Sequence, residues 1–264
     1  MPSLSQNQFK FIRSLHLQKN REREKLFLVE GVRLCEELVR SDFTIHYFII
    51  NKSGEHTDRL TSLLAAIEKR RLEVFEATDQ QFTALADTRQ PQGIAAIVSV
   101  KLAAPDLTAA RLILGLDSIR DPGNLGTILR TAEWFGSDGV ITSEDSVEIY
   151  NPKTVRSTMG ALFHIPIRDN VNLARELELL KEKNFTIVGA SSEAGIPLPG
   201  YKAPGKIVLL IGNEAQGLRP EIENLLDTRI NIPGRGKSES LNAAIAAGIL
   251  LYHLTQLEKN YGKS

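Results

Sequence analysis

Apolar positions along this 264-residue chain change rhythm near residue 110. Before it, "KLFLVE" and "IHYFIIN" read as strands, and "GVRLCEELVRS" between them sets Val32, Cys35, Leu38 and Val39 on one helical stripe. "DRLTSLLAAIEKRR" predicts a second helix and "LEVFEA" a short strand. "TDQQFTALAD" predicts a further helix capped by Thr78 or Asp79, and "QGIAAIVSV" a closing strand. This alternation predicts a small α/β domain over 1–100, followed by a Pro-, Ala- and Thr-containing linker at 101–110.

Over 111–264 the strands become nearly continuous apolar runs: "LILGLD", "GVIT", "FHIPIR", "FTIVGAS", "IVLLIGN" and "RINIP". Runs of this kind between helices predict an α/β domain with a mainly parallel sheet covered on both faces. Ligands of such sheets sit beyond the carboxyl ends of the strands, so the loops there carry the candidate chemistry.

Three of those loops hold more polar residues than a turn needs. In "LDSIRDPGNLGTILRTAEWFG", Pro122 and Gly123 make a turn, and Asn124 is placed to cap a helix. Leu125, Ile128, Leu129, Ala132 and Phe135 form the buried stripe of that helix, with Arg130 and Trp134 on another face. "LLIGNEAQGLRPEI" delivers Gly212, Asn213 and Glu214, then Gly217 and a helix start near Pro220. "INIPGRGKSESLNAAIAAGILLYHL" ends a strand at Pro233 and Gly234, offers Ser238 or Ser240 as cap, and opens an Ala- and Gly-dense helix with Asn242 in its first turn. An asparagine there needs a partner for its amide. Taken singly, the second loop reads as an ordinary βα turn and Arg130 as a surface arginine stacked on Trp134, and the close packing of the third helix also suits a dimer seam.

Composition narrows the class. Hydrophobic residues at 42% and charged residues at 24% are those of a globular chain with a sizeable core. No run reaches the roughly 20 apolar residues that cross a bilayer, and the polar N-terminus lacks the apolar core of a secretory signal; the expected location is the cytoplasm, with no membrane association. A single cysteine, Cys35, excludes a disulfide framework, and His16, His46, His56, His164 and His253 lack metal spacing, so no metal is expected. His164 reads as a structural residue in a strand. Net charge is zero, yet residues 1–25 carry Lys10, Arg13, Lys19, Arg21, Arg23 and Lys25 against Glu22 and Glu24. That basic arm suits either phosphate contact or a solvated helix. Dinucleotide-binding, P-loop and nucleophile-elbow fingerprints are missing.

In this order, "DSIRDPGNLGTILRTAEWFG", "LLIGNEAQGL" and "INIPGRGKSESLNAAIAAGILLY" closely resemble the three signature motifs of the SpoU-type (TrmH-like) RNA 2′-O-ribose methyltransferases of the SPOUT superfamily. "NPKTVRSTMGALFHIPI" looks like the family's segment between the first two motifs, so the likeness spans 111–255. The front domain, with "FLVEGVRLCEEL" and "QGIAAIV", resembles the RNA substrate-binding domain carried by many members. The resemblance implies a deep trefoil knot, S-adenosylmethionine as methyl donor, and a homodimer whose interface, made by the methyltransferase domain, builds the active site. It carries catalytic roles onto Arg130, Asn124, Glu214, Ser240 and Asn242, and main-chain cofactor contacts onto Gly212, Ile232 and Leu241. Where the family often has methionine after the third-motif proline, this chain has Gly234, a departure that the implied main-chain contact at Ile232 survives.

Methyl transfer to a ribose hydroxyl is an in-line displacement, so positioning is most of the task. A guanidinium keeps its proton near neutral pH, which makes Arg130 a grip on phosphate and a stabiliser of the developing alkoxide, with Asn124 fixing geometry. A phosphate, a water or Glu214 takes the proton; the sequence leaves all three open. Glu214 is the expected hydrogen-bond partner of Asn242 and Ser240. The competing readings are a non-catalytic RNA-binding or ribosome-assembly factor on the same fold, a tRNA 2′-O-methyltransferase, and a base methyltransferase on a related scaffold. Ribosomal RNA is the preferred target by analogy of the front domain.

Overall fold

The computed structural model describes residues 1–54, 57–101, 103–203 and 205–261, with side chains to 256. His56 lies outside the described residues. The chain divides into two compact units, Met1–Lys101 with Tyr150–His164, and Leu102–Ile149 with Ile165–Ser264.

In the first unit, α1 (Gln6–Ser14) and α2 (Gln18–Glu24) precede β1 (Leu26–Glu30), α3 (Val32–Arg40), β2 (Ile45–Asn51), α4 (Asp58–Lys69), β3 (Val74–Ala77), α5 (Asp79–Leu85) and β4 (Ile94–Ser99). The sheet order is β1-β4-β2-β3; β4 runs antiparallel to β1 and β2, and β3 parallel to β2. Thr78, not Asp79, caps α5, in a reciprocal box with Gln81. The basic arm folds as α1 and α2, and it is not uniformly available to phosphate. Arg21 is buried and donates to the Leu15 carbonyl at 2.6 Å.

The second unit contains β5 (Leu112–Leu116), α6 (Pro122–Trp134), β6 (Gly139–Ser143), β7 (Ile167–Val171), α8 (Leu173–Glu182), β8 (Thr186–Ser191), β9 (Ile196–Pro197), β10 (Ile207–Ile211), α9 (Pro220–Glu223), β11 (Thr228–Asn231) and α10 (Ala243–Tyr261), while α7 (Pro152–Ser157) belongs to the first unit. All the ladders of its seven-stranded sheet, β7-β6-β5-β10-β8-β11-β9, are parallel. Strands β5, β6 and β10 are buried at every position, which explains the unbroken apolar character of β5 and β10; β6 ends in the buried Thr142 and Ser143, whose hydroxyls are hydrogen-bonded. Ile113, Ile141, Ile187, Val208 and Leu210 meet Leu177, Leu180 and Phe185 in one core cluster.

Two expectations change here. Residues 150–164 cluster with the first unit, although the apolar pattern suggests an uninterrupted second domain from 111. Aromatic packing accounts for this: Tyr150 lies 4.4 Å from Phe27 and Phe163 lies 5.2 Å from Phe43, ring centre to ring centre. His164 is therefore not in a strand. It follows a 3₁₀ turn at Ala161–Phe163 and its Nε2 lies 3.2 Å from Glu37, while β7 begins only after Pro166.

Candidate functional site

Strand β5 ends at the loop that starts α6, and the cap of α6 is Asp121, whose Oδ1 accepts from the Asn124 peptide N–H at 2.8 Å. Pro122 takes the first helical position, where its missing N–H costs nothing, so the cap falls one residue before it. This corrects the capping role expected of Asn124. Freed from it, the Asn124 side chain turns to the other two loops: Nδ2 donates to Glu214 Oε1 at 2.7 Å, and Oδ1 accepts from Asn242 Nδ2 at 3.0 Å.

Asn242 is itself the cap of α10, in place of Ser238 or Ser240. Its Oδ1 accepts from the peptide N–H of Ala244 at 2.9 Å and of Ile245 at 3.4 Å, and its carbonyl accepts the first helical bond from Ala246. The two ends of this relay fix its polarity. An ionised carboxylate only accepts and helix N-terminal N–H groups only donate, so both asparagine amides have a single consistent orientation between them. One chain of side chains thus joins the loops after β5, β10 and β11. Glu214 contacts Asn124 and not Asn242 directly, and Ser240 stands exposed outside the relay.

The loop after β10 closes on itself. Asn213 and Gly217 exchange two peptide hydrogen bonds of 2.9 Å, and Asn213 Oδ1 accepts from Ala215 and Gln216. A Cβ on Gly212 would stand 2.3 Å from the Gly217 carbonyl carbon, so only glycine fits. Among the described residues, the peptide groups of Gly212, Ile232 and Leu241 make no hydrogen bond to the rest of the chain. Gly212 directly follows β10, Ile232 directly follows β11, and Leu241 precedes the relay residue Asn242. Unspent main-chain donors and acceptors at loops that meet fit the cofactor that the resemblance implies, one held chiefly through peptide groups.

Arg130 is not part of the relay. It lies six residues beyond Asn124 on α6, roughly 9 Å along the axis and a third of a turn away. It is exposed, its guanidinium makes no hydrogen bond among the described residues, and it shares its face with Trp134, which is 80% exposed. On α10, Ile245, Ile249 and Tyr252 are exposed at helical spacing, and Tyr252 packs edge-on to Phe135 at 5.9 Å. Among the described residues the second unit therefore exposes an apolar stripe on α10, with Trp134 exposed on α6.

Sequence reasoning missed Asp117, Asp121 and Arg219, and the organising role of Asn213, in these loops. A signal existed for Asp121, since Pro at the first helical position calls for a cap immediately before it. For the others the partners lie about a hundred residues apart and no local pattern reveals them. Away from the loops, burial pushes the Cys35 thiol far above its ordinary range and raises the Asp169 carboxyl, which accepts from the Thr142 hydroxyl. Among the described residues no group of His, Cys, Asp and Glu is arranged to hold a metal, and no helix is long and apolar enough to cross a membrane.

Comparison with known proteins bears on these loops. The sequence pattern of the SpoU rRNA Methylase family matches residues 111–252, and that of the MRM3-like substrate binding domain matches residues 6–96. The 23S rRNA (guanosine(2553)-2′-O)-methyltransferase RlmP of Bacillus subtilis is 32% identical over 242 residues, covering 92% of this chain and 93% of that protein. The 23S rRNA (guanosine-2′-O-)-methyltransferase RlmB of Salmonella typhi is 34% identical over 207 residues, covering 75% of this chain and 85% of its own. Among solved structures, the SpoU methyltransferase AviRb of Streptomyces viridochromogenes, crystallised with S-adenosylmethionine, superposes with a TM-score of 0.85 at 26% identity over 97% of this chain and 99% of that one.

Proposed function

The chain belongs to the SpoU rRNA methylase family, and from that premise we propose that it is an S-adenosylmethionine-dependent methyltransferase acting on the 2′-hydroxyl of a ribose in RNA, ribosomal rather than transfer RNA. The observation that carries this reading is the relay of Glu214, Asn124 and Asn242, which draws the three motif loops to one place. The names of the relatives support ribosomal RNA, and the match of residues 6–96 to a substrate-binding domain supports the front unit as the RNA-holding part.

The cofactor, when bound, supplies an electrophilic methyl on a sulfonium. The peptide groups of Gly212, Ile232 and Leu241 would hold it, and Ser240 would help to order the neighbouring loop. Glu214 fixes the Asn124 amide through Nδ2, and Asn124 sets the direction from which the ribose is presented. Arg130 grips a phosphate of the target bidentately and steadies the negative charge that grows on the attacking oxygen.

The apolar stripe of Ile245, Ile249, Tyr252 and Trp134 supports a homodimer through the methyltransferase domain. A second copy on that stripe stands next to Arg130, so the arginine works at a site completed by the dimer. The family's trefoil knot and a cytoplasmic location, where ribosomal RNA is modified, belong to the same proposal. The test is chemical. Ribosomal RNA incubated with the protein and methyl-labelled cofactor, then digested to nucleosides, yields label on the sugar; label on a base, or none, refutes the reading.

A further inference from the structure

Strands β5 and β10 are adjacent and parallel, and each ends in a loop of the proposed site. Past the strand ends, side chains hold those loops in register. Asp117, fully buried, accepts from Arg219 twice: the peptide N–H reaches Oδ2 at 2.8 Å and Nε reaches Oδ1 at 2.7 Å. Asn213 Nδ2 donates to the Ser118 carbonyl at 2.9 Å. Arg219 Nη1 goes on to Asp145 Oδ2 at 2.7 Å, with Glu221 at 3.3 Å. Asp145 lies in the loop after β6, whose Ser143 and Ser146 hydroxyls accept from the peptide N–H groups of Ser118 and Ile119. Arg219 thus pins three loops at the carboxyl ends of neighbouring strands β6, β5 and β10.

What it pins is strained. Ser118 has φ +56°, a left-handed conformation that a residue with a Cβ adopts only when its surroundings impose it. The chain then runs three residues to Asp121, the cap that sets where α6 begins and so where Asn124 stands. On the other side, Glu214 lies between Asn213 and Arg219, the two residues that reach back to Ser118 and Asp117. The spacing between Asn124 and Glu214 is therefore set from both ends by the same clamp.

We infer that Arg219 is a positioning residue for methyl transfer: through Asp117 and Asp145 it holds the Asn124–Glu214 contact at its working distance. The inference rests on the proposed activity but acts through geometry that can be observed without turnover. Removing Arg219 outright strands a buried carboxylate and risks the fold. Arg219→Lys keeps the charge and the peptide donor but loses the planar fork that spans both aspartates. Asp145→Asn removes the charge from the outer contact alone, leaving a weaker amide acceptor, and leaves the Asp117 pair intact.

In the full-length chain, Arg219→Lys lowers kcat about tenfold with KM for cofactor and RNA within about threefold, and Asp145→Asn lowers kcat about two- to threefold. In a Glu214→Gln background the Arg219→Lys penalty shrinks to less than about twofold, because the contact it serves is already altered. The Asn124 side-chain amide resonance, read by NMR, moves in Arg219→Lys in the direction it moves in Glu214→Gln. An unmoved Asn124 resonance, or the same Arg219→Lys penalty in both backgrounds, overturns the inference. A wild-type chain without turnover refutes the methyl-transfer reading instead, and the Asn124 resonance then decides the inference alone.

Discussion

Asn124 and Glu214 are 90 residues apart in sequence and 2.7 Å apart in space, amide nitrogen to carboxylate oxygen. A hydrogen bond to a charged group contributes about 1.5–3 kcal/mol. In Asn124→Asp the donor becomes a second carboxylate facing the first, so the link to Glu214 is lost while Asn242 still donates to the remaining oxygen. Turnover falls by about tenfold or more, as steady-state methyl transfer at neutral pH will show.

Gly212→Ala tests the loop after β10. The added methyl meets the Gly217 carbonyl carbon at 2.3 Å and the Leu218 nitrogen at 2.5 Å, both backbone atoms that cannot swing aside. The loop must shift, at a cost of about 1–3 kcal/mol. Isothermal calorimetry will show S-adenosylmethionine affinity falling by about tenfold or more, with a lowered thermal midpoint.

Lys10, Arg13 and Lys19 are exposed on α1 and α2, whereas Arg21 is buried and bonded within the fold. Changing the three exposed cations together to Glu weakens RNA binding and lowers the log–log salt slope by about two to three units. Cofactor affinity stays within about twofold. Filter-binding titrations across salt concentrations check both. Deleting the whole of residues 1–100 is a poorer test than it looks from sequence, because Tyr150 and Phe163 would lose their aromatic partners Phe27 and Phe43.

Asp169 carries a pH prediction. Burial raises its carboxyl above the ordinary value and outweighs the Thr142 hydrogen bond. The folded state thus binds the proton more tightly than the unfolded state, and stability is lost as pH rises from the unfolded pKa through the folded one. Asp169→Asn removes that penalty. Calorimetric melting will show the variant above wild type at pH 7, with the gap closing as the pH falls toward 4.

Much of the fold is legible in the sequence because burial writes itself into residue type. β5 and β10 are apolar throughout since both faces are covered, and α5 is marked by its Thr78 and Gln81 box. The reading falters where one apolar run serves two units. "FHIPIR" looks like one strand, yet Phe163 packs in the first unit and Ile167 opens β7 in the second. β9 escapes notice because two paired residues leave no period to read. In the site, the motifs name Asn124, Glu214 and Asn242 but not their wiring. Which amide caps a helix and which bridges two loops depends on contacts spanning 90 and 118 residues.

The central claim is that Arg130 acts on the transition state at a site built from these three loops, and Arg130→Ala measures it directly. Cofactor affinity by calorimetry and methyl transfer to ribosomal RNA are to be followed on the same preparation. The account predicts affinity within about twofold of wild type and turnover lower by about 100-fold or more, the scale of losing one transition-state donor. Near-normal turnover would contradict it.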